Sequence, residues 1–454
     1  MIRNILSVAA MLAAVAMAPA AQAETLADAM IAAYRNSNLL EQNRALLRAA
    51  DEDVATAVAA VRPVVNFALQ STYSTSSGPA VSTDSLNSAA NLSMDLTLLD
   101  FGRNALAIEA AKETVLATRE ALVDVEQRVL IVAVQSYVQV RLSQEIVALR
   151  QSNVRLITQE LRAAKDRFDV GEITRTDVAI AESRLAASRA SLAAAEGDLM
   201  VAREAYKAAT GAYPGNLARL PATPKIPATL TEAIAIALRS HPVIRQTQRQ
   251  VTVSDLNVAR AEAAMKPTLS ARATVGLQEG GFDSETLSLS LNQTIYAGGR
   301  LSALHRRAMA SRTATRAGLH QVAVQVEQNV GNAWSNLQVS AASIAATGLQ
   351  ISAAQTAYDG LREEAKLGAR TTLDVLNAEQ ELLDARAARL SAEATRYSGV
   401  YSLLQAMGLL TVEHLQLGIP TYDVTGYYNA VKNAPATSPQ GKRLERVLKS
   451  IGGN

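Results

Sequence analysis

The sequence predicts a mainly α-helical chain that also contributes strands to a membrane β-barrel. Three observations lead there. The chain is written twice, each copy carries a pair of alternating apolar–polar segments, and each copy carries a proline-free helical stretch far longer than a globular domain needs. Composition agrees. Of 454 residues only 4% are aromatic, so bulky globular cores are improbable and close packing through alanine and other small side chains is favoured. The absence of cysteine excludes disulfides, cysteine-ligated zinc, iron–sulfur clusters, a thiol nucleophile and a lipidated N-terminal cysteine. Forty-four Lys and Arg against 42 Asp and Glu leave a formal charge of +2, without the basic excess that a nucleic-acid partner requires.

The N-terminus reads as a signal peptide (1–23). Arg3 is followed by an apolar run over residues 5–17 in which only Ser7 is polar, and Ala21-Gln22-Ala23 supplies a small-x-small cleavage site after Ala23. A retained membrane anchor is the alternative, but the run is short for a bilayer span. No later stretch reaches the ~18 consecutive apolar residues of a transmembrane helix. An exported chain of this kind either stays free beyond the inner membrane or crosses a membrane as strands.

The duplication is direct. Thr25-Leu26-Ala27-Asp28-Ala29-Met30 recurs as Thr229-Leu230-Thr231-Glu232-Ala233-Ile234, an offset of 204 residues. Beyond the strands the offset becomes 197 and relates Asp100-Phe101-Gly102-Arg103 to Ala297-Gly298-Gly299-Arg300, Tyr137 to Trp334, Gly171 to Gly368, Asp177 to Asp374 and Glu182 to Glu379. The expected organisation is a first repeat over 24–212, a proline-punctuated linker over 213–228, a second repeat over 229–412 and a polar tail over 413–454.

Each repeat opens with a helical pattern, over residues 26–61 in the first copy, stopped where Pro63 or Pro267 disfavours helix in the preceding residue. The period then switches to two. Strands are expected at about 63–74 and 89–99, with a Ser/Gly/Asn-rich loop at 74–88 between them, and at about 267–278 and 285–296. Val65, Phe67 and Leu69 alternate with Asn66, Ala68 and Gln70, and Leu287, Leu289 and Leu291 with Ser288, Ser290 and Asn292. Such alternation fits tilted outer-membrane strands and equally fits a half-buried hairpin in a soluble domain. Export, the lack of a transmembrane helix, and aromatics near strand ends (Tyr73, Phe101, Phe282, Tyr296) favour the membrane. Four strands cannot close a barrel, and an open sheet edge cannot exist in lipid, so several chains would have to share one barrel.

The long helices follow. Residues 103–169 contain neither Pro nor Gly, and 300–367 contain no Pro. Each would extend roughly 100 Å at 1.5 Å per residue. Val178, Leu185, Leu192, Leu199 and Tyr206 recur every seven residues with Ala181, Ser188, Ala195 and Ala202 between them. Leu376, Leu383, Leu390, Tyr397 and Leu404 repeat the device with Gln380, Ala387, Ala394 and Tyr401. These are coiled-coil seams of alternating large and small side chains.

The duplicated half, the paired hairpins, the phrase Leu291-Asn292-Gln293-Thr294-Ile295-Tyr296-Ala297-Gly298-Gly299-Arg300 and the two turns at 170–178 and 367–378 carry a resemblance. The chain resembles the TolC family of outer-membrane efflux and secretion channels over essentially its whole mature length. The resemblance implies a homotrimer with a twelve-stranded barrel over an α-helical periplasmic tunnel, in the unlipidated branch that serves type I secretion and drug efflux. It further implies a periplasmic membrane-fusion adaptor and an inner-membrane ABC or RND-type transporter as partners, since the chain has no nucleotide-binding motif of its own. Localisation is then the Gram-negative outer membrane.

Gly171 and Gly368 end the long helices, and Asp177 and Asp374 fall in the first turn of the returning helices, where a carboxylate suits the helix dipole. Simple helix-start preference accounts for both acids. The resemblance implies more: Asp374 in a ring of carboxylates at a periplasmic constriction, and Arg370 bonded to Asp177 as a latch. Two positions depart from the family pattern. The second constriction aspartate falls at Asn377 and the latch tyrosine at Ala365, which implies a weaker cation trap and a thinner latch. The tips Gly171, Glu172, Ile173 and Thr174, with Gly368, Ala369 and Thr371, resemble adaptor-docking turns, and ordinary helix termination explains them too. Asn66, Asp95, Arg272 and Asn292 are expected to wet a pore.

No enzyme is expected, because no acid–base or nucleophile constellation is present. No cofactor is expected, because Gly298-Gly299 lacks a phosphate-loop context. His241, His305, His320 and His414 lie apart without ligand spacing, so no metal site is expected. Trp334 reads as a packing residue. The tail holds a short amphipathic stretch (Leu444, Val447, Leu448, Ile451) whose place is open between packing on the tunnel and disorder. The alternative to a channel is a soluble periplasmic coiled-coil adaptor or scaffold, which would not need two lipid-compatible hairpins.

Overall fold

The computed structural model describes residues 23–77, 82–278, 282–436 and 439–450. The signal-peptide reading therefore lies outside the described residues save for Ala23, as does Ile451 of the tail. Helices α1 (Leu26–Asn36) and α2 (Asn38–Ala59) precede strands β1 (Val64–Ser77) and β2 (Ser82–Leu99). Helices α3 (Arg103–Asp169) and α4 (Arg175–Thr210) complete the first pass. The second pass runs α5 (Leu230–Ser240), α6 (Pro242–Ala263), β3 (Thr268–Gln278), β4 (Phe282–Asn292), α7 (Arg300–Lys366) and α8 (Thr372–Ala406). Helices α9 (Gly426–Val431) and α10 (Pro439–Ser450) follow.

Several boundaries differ from the expectation. The helix expected over 26–61 is broken at Ser37, which takes an extended backbone while its hydroxyl accepts the N–H of Leu40 at 3.2 Å and so starts α2. The second copy breaks at His241 for a different local reason: Pro242 occupies the first position of α6, where its fixed φ suits a helix start and forbids continuation of α5. In the sheet, β2 begins at Ser82 rather than near 89, so most of the expected 74–88 loop is strand. Serine pairs across the ladder, Ser71 with Ser88 at 3.1 Å and Ser74 with Ser85 at 2.8 Å, extend the hairpin on either side of the Tyr73–Leu86 pair. Conversely β4 stops at Asn292, four residues short of 296, where Gln293 and the residues after it leave the ladder.

The chain divides into two compact units. One gathers residues 41–124, 242–325 and 421–450 and contains the sheet. The strands are antiparallel in the order β1-β2-β3-β4, so the first hairpin pairs with the second through β2 and β3. The register aligns side chains in rows, with one bulge between Thr97 and Leu99. In the same unit the tail lies along α2: Arg62 donates to the Ala434 carbonyl at 2.9 Å and to the Asn433 carbonyl at 2.5 Å. Tyr427 donates its hydroxyl to Glu52 at 2.7 Å, and the Arg119 guanidinium sits 5.4 Å from the Tyr428 ring centre. Through residue 434, then, the tail is packed.

The other unit gathers residues 23–40, 125–241 and 326–420 and is helical. Its core holds the fully buried rings of Tyr137 and Tyr206. Both hydroxyls serve Glu24: Tyr137 donates to the Glu24 carbonyl at 2.9 Å and to that of Ala218 at 2.8 Å, and Tyr206 donates to the Glu24 carboxylate. Glu24 also bridges to Leu217 of the linker through backbone hydrogen bonds with Asn216 and Ala218.

The seams are partly as expected. On α4 the buried row is the small one, Ala181, Ser188, Ala195 and Ala202, with Leu185 and Tyr206. On α8 the small buried row is Ala378, Ala385 and Ala392, not Ala387 and Ala394, beside the expected Leu376, Leu383, Tyr397, Tyr401 and Leu404. Both choices follow from close helix approach, which only small side chains permit on the facing row.

Candidate functional site

The sheet presents two chemically opposite faces. Register rows run Val64–Asp95–Arg272–Ser288, then Asn66–Ser93–Thr274–Thr286, then Ala68–Asn91–Gly276–Ser284, with Thr268 opposite Asn292. The four polar residues expected to wet a pore, Asn66, Asp95, Arg272 and Asn292, therefore share one face. Arg272 and Asp95 form an ion pair there at 2.5 Å. The rows of the other face are Leu99–Leu269–Leu291, Leu96–Ala271–Leu289, Val65–Met94–Ala273–Leu287 and Phe67–Leu92–Val275–Glu285. Its side chains are bare: Phe67 is 72% exposed, Leu287 83% and Leu289 66%. On β3 the apolar positions run from Leu269 to Leu277. On β4 the same face ends in Glu285 and Asp283, opposite Val275 and Leu277, so the rows from Leu269 to Ala273 are the ones apolar on every strand.

The helix tips are two copies of one device. At the end of α3, Gly171 takes φ +80°, its N–H bonds to the Phe168 carbonyl and the Glu172 N–H to that of Arg167, both at 2.9 Å. At the end of α7, Gly368 takes φ +77°, with bonds to Ala365 at 3.2 Å and from Ala369 to Glu364 at 3.0 Å. This double closure satisfies the last helical carbonyls and demands a left-handed residue. A side-chain carbon at either glycine would meet no atom within 4 Å, so backbone conformation alone requires glycine there.

The returning helices start with reciprocal caps. The Thr174 N–H and hydroxyl donate to Asp177 at 2.9 and 2.7 Å, and the Thr371 N–H and hydroxyl donate to Asp374 at 3.1 and 2.8 Å. Both acids thus fulfil the helix-start role. Hydrogen bonds from the Thr371 hydroxyl and N–H, with Arg370 nearby, hold the Asp374 carboxyl below the usual carboxylate range. Within one chain, Arg370 does not reach Asp177: its Nε binds Glu364 at 2.8 Å, an acid on the end of its own preceding helix. Asn377 is also engaged, accepting from Arg184 of α4 at 2.6 Å. Among the tip residues Ile173 is half-buried against Ile157, Ala164, Ala181, Leu185 and Leu376, while Gly171, Glu172, Thr174, Gly368, Ala369 and Thr371 are exposed. Ala365 packs on the cluster of Tyr358, Val375, Ala378 and Leu382.

Sequence reasoning missed Arg184, Glu364 and a buried polar group. Glu379 is 4% exposed, its Oε1 accepts from Asn153 at 2.6 Å, and Asn153 in turn accepts from the buried Ser188 hydroxyl at 2.6 Å. Burial pushes the Glu379 carboxyl up to about 7. The available signal was polar residues at inward positions of otherwise apolar stripes.

A four-stranded sheet with one bare apolar face, continued by paired coiled coils that end in matched turns, defines a channel-forming outer-membrane protein. Solved structures agree on the fold: that of CusC, described in terms of folding and transmembrane channel formation, superposes with a TM-score of 0.76 at 20% identity over 85% of this chain and 92% of that one. The outer membrane efflux protein family model matches residues 30–212 and 233–409, and the chain belongs to that family. The outer membrane efflux protein BepC of Brucella suis biovar 1 (strain 1330) is 35% identical over 422 residues, covering 91% of this chain and 92% of BepC. The proteases secretion protein PrtF of Dickeya chrysanthemi is 25% identical over 389 residues, covering 81% and 84%. The protein is an outer-membrane channel of the efflux and secretion kind, not the soluble adaptor that the coiled coils alone would also have allowed.

Proposed function

We propose that three copies pool their sheets into one twelve-stranded barrel and that the joined coiled coils form a tunnel through the periplasm. The observation that carries this reading is the sheet itself. Its apolar face is bare, its opposite face is polar, and the outer edges of β1 and β4 have no partner strand among the described residues. Lipid tolerates neither an open edge nor unsatisfied backbone groups, so β4 of one copy pairs with β1 of the next. Asn66, Asp95, Arg272 and Asn292 then line water.

The channel takes cargo from an inner-membrane ABC or RND-type transporter through a periplasmic membrane-fusion adaptor, which docks at the tips around Gly171 and Gly368. A signal peptide directs the chain to export and is removed after Ala23. At the tip end, three copies of Asp374 form one acidic ring and Asn377 a neutral one. Arg370, released from Glu364, reaches Asp177 across a coiled-coil boundary in the closed state.

The test is oligomeric state with conductance. The purified mature protein runs as a heat-resistant trimer from outer-membrane fractions and gives discrete current steps in planar bilayers. A detergent monomer that passes no current, or a wholly soluble periplasmic protein, overturns the channel architecture.

A further inference from the structure

The helix-tip region holds one polar cluster that the gate reading does not use. Glu379 lies on α8, five residues past Asp374. Through Asn153 of α3 it reaches Ser188 of α4, so one chain of buried hydrogen bonds joins helices from both repeats. Oε2 of Glu379 has no hydrogen-bond partner, and neither has the buried hydroxyl of Tyr358 on α7.

The two repeats treat this position differently. The offset of 197 relates Glu182 to Glu379 and also Lys165 to Arg362. In the first repeat Glu182 is exposed and pairs with Lys165 at 2.8 Å. In the second, Arg362 turns instead to Glu160 of α3 at 3.7 Å, and Glu379 points inward without its cation. The surrounding charges are committed elsewhere. Arg150 of α3 faces Asp384 at 3.9 Å, Arg184 of α4 binds Asn377, and Asp359 of α7 accepts from Gln355. Leu156, Val375, Ala378 and Leu382 surround Tyr358 and close the pocket with carbon.

We propose that Glu379, Asn153 and Ser188 form a clamp between the coiled coils of the two repeats, and that its hold depends on Glu379 carrying a proton. An ionised carboxylate in this position is desolvated with one hydrogen bond and no counter-ion, a state that packing against α3 and α4 disfavours. Burial raises the group above its ordinary value of 4.5, Asn153 opposes the rise, and the Glu160 charge adds to it. The clamped form therefore binds the proton more tightly than the released form. Its advantage is full below the ordinary carboxyl value and fades as pH rises toward and through about 7. Loosening α8 at this level frees the turn that carries Asp374 and Asn377. The clamp itself stands on the contacts within one chain, whereas its effect on the pore rests on the gate reading above.

Two measurements on the purified mature protein test it. Thermal unfolding is followed for wild type and Glu379→Gln between about pH 5.5 and about pH 8, the interval in which a carboxyl raised this far titrates. The wild-type midpoint falls relative to that of Glu379→Gln across this interval, and a constant difference overturns the clamp's dependence on a proton. Should Glu379→Gln not fold, Asn153→Ala replaces it. Because the Asn153 N–H opposes the rise, Asn153→Ala as well moves the wild-type transition to higher pH, and an unmoved transition overturns the clamp equally. In planar bilayers wild-type conductance rises several-fold over the same interval, while Glu379→Gln stays at the low value. If unfolding responds to pH but conductance does not, the proton-dependent clamp stands and its hold on the pore is overturned. If Arg370→Ser also leaves conductance unchanged, the gate reading fails with it.

Discussion

At the scale of single residues, the two repeats use the same amino acids for different ends. Asp177 and Asp374 both cap helices through the preceding threonine, so a substitution at either has a structural as well as an electrical effect. Separating them requires a change that spares the carboxylate. Thr371→Ala removes the hydroxyl that binds Asp374 and costs about 1 kcal/mol of helix stability, read as a lower unfolding midpoint, while leaving block by multivalent cations in place. Asp374→Ala is expected to weaken both, and unaltered block would put the acidic ring elsewhere. Because the Thr371 hydrogen bonds depress the Asp374 carboxyl, its charge is kept as pH falls to the ordinary carboxylate range and is lost only below it. Cation block at Asp374 should therefore stay level across the neutral and mildly acid interval in which the Glu379 clamp titrates, and a block curve that bends near pH 7 would contradict the assignment. Arg370→Ser breaks the Glu364 bond within the chain and the proposed reach to Asp177, and single-channel conductance is expected to rise. Tyr137→Phe takes a hydroxyl from two part-buried carbonyls, Glu24 and Ala218, and should lower stability by about 1 kcal/mol without touching conductance.

Elements make their own predictions because strand side chains alternate so strictly. Leu289 and Ser288 are adjacent on β4, yet one lies in the exposed apolar row and the other beside Arg272. Leu289→Arg places a cation against lipid and should cost about 2–4 kcal/mol, seen as loss of assembled protein from outer-membrane fractions. Ser288→Asp is expected to be tolerated, since Arg272 is its register partner. Equal effects of the two changes would remove the assignment of faces. The strands and faces were legible in the sequence because a period of two survives any tertiary context. The boundaries were less so. Serine and asparagine in 82–88 read as loop, but at the end of a hairpin they pair across the ladder around the Tyr73–Leu86 contact. The break at Ser37 was hidden for a similar reason, since a single serine can cap a helix start or sit within a helix, and only the backbone conformation of Ser37 distinguishes the two.

For the whole molecule, length and composition already excluded disulfide scaffolds and pointed away from nucleic-acid partners and a bulky globular core. The duplication, the alternating strands, the uninterrupted long helices and the glycines that end them were all open to inspection in the residues, because each follows from a local rule of backbone or periodicity. The tertiary structure alone decided which of two equivalent acids would be surface and which core. Lys165 meets Glu182 at the surface, whereas Arg362 is drawn to Glu160, and Glu379 is left inside with Asn153 and Ser188. The same holds for Arg370, whose nearest acid in the folded chain is Glu364 rather than the aspartate of the other turn. Charge partners are set by which side chains folding brings within a few ångströms, and a repeat in sequence carries no information about that distance.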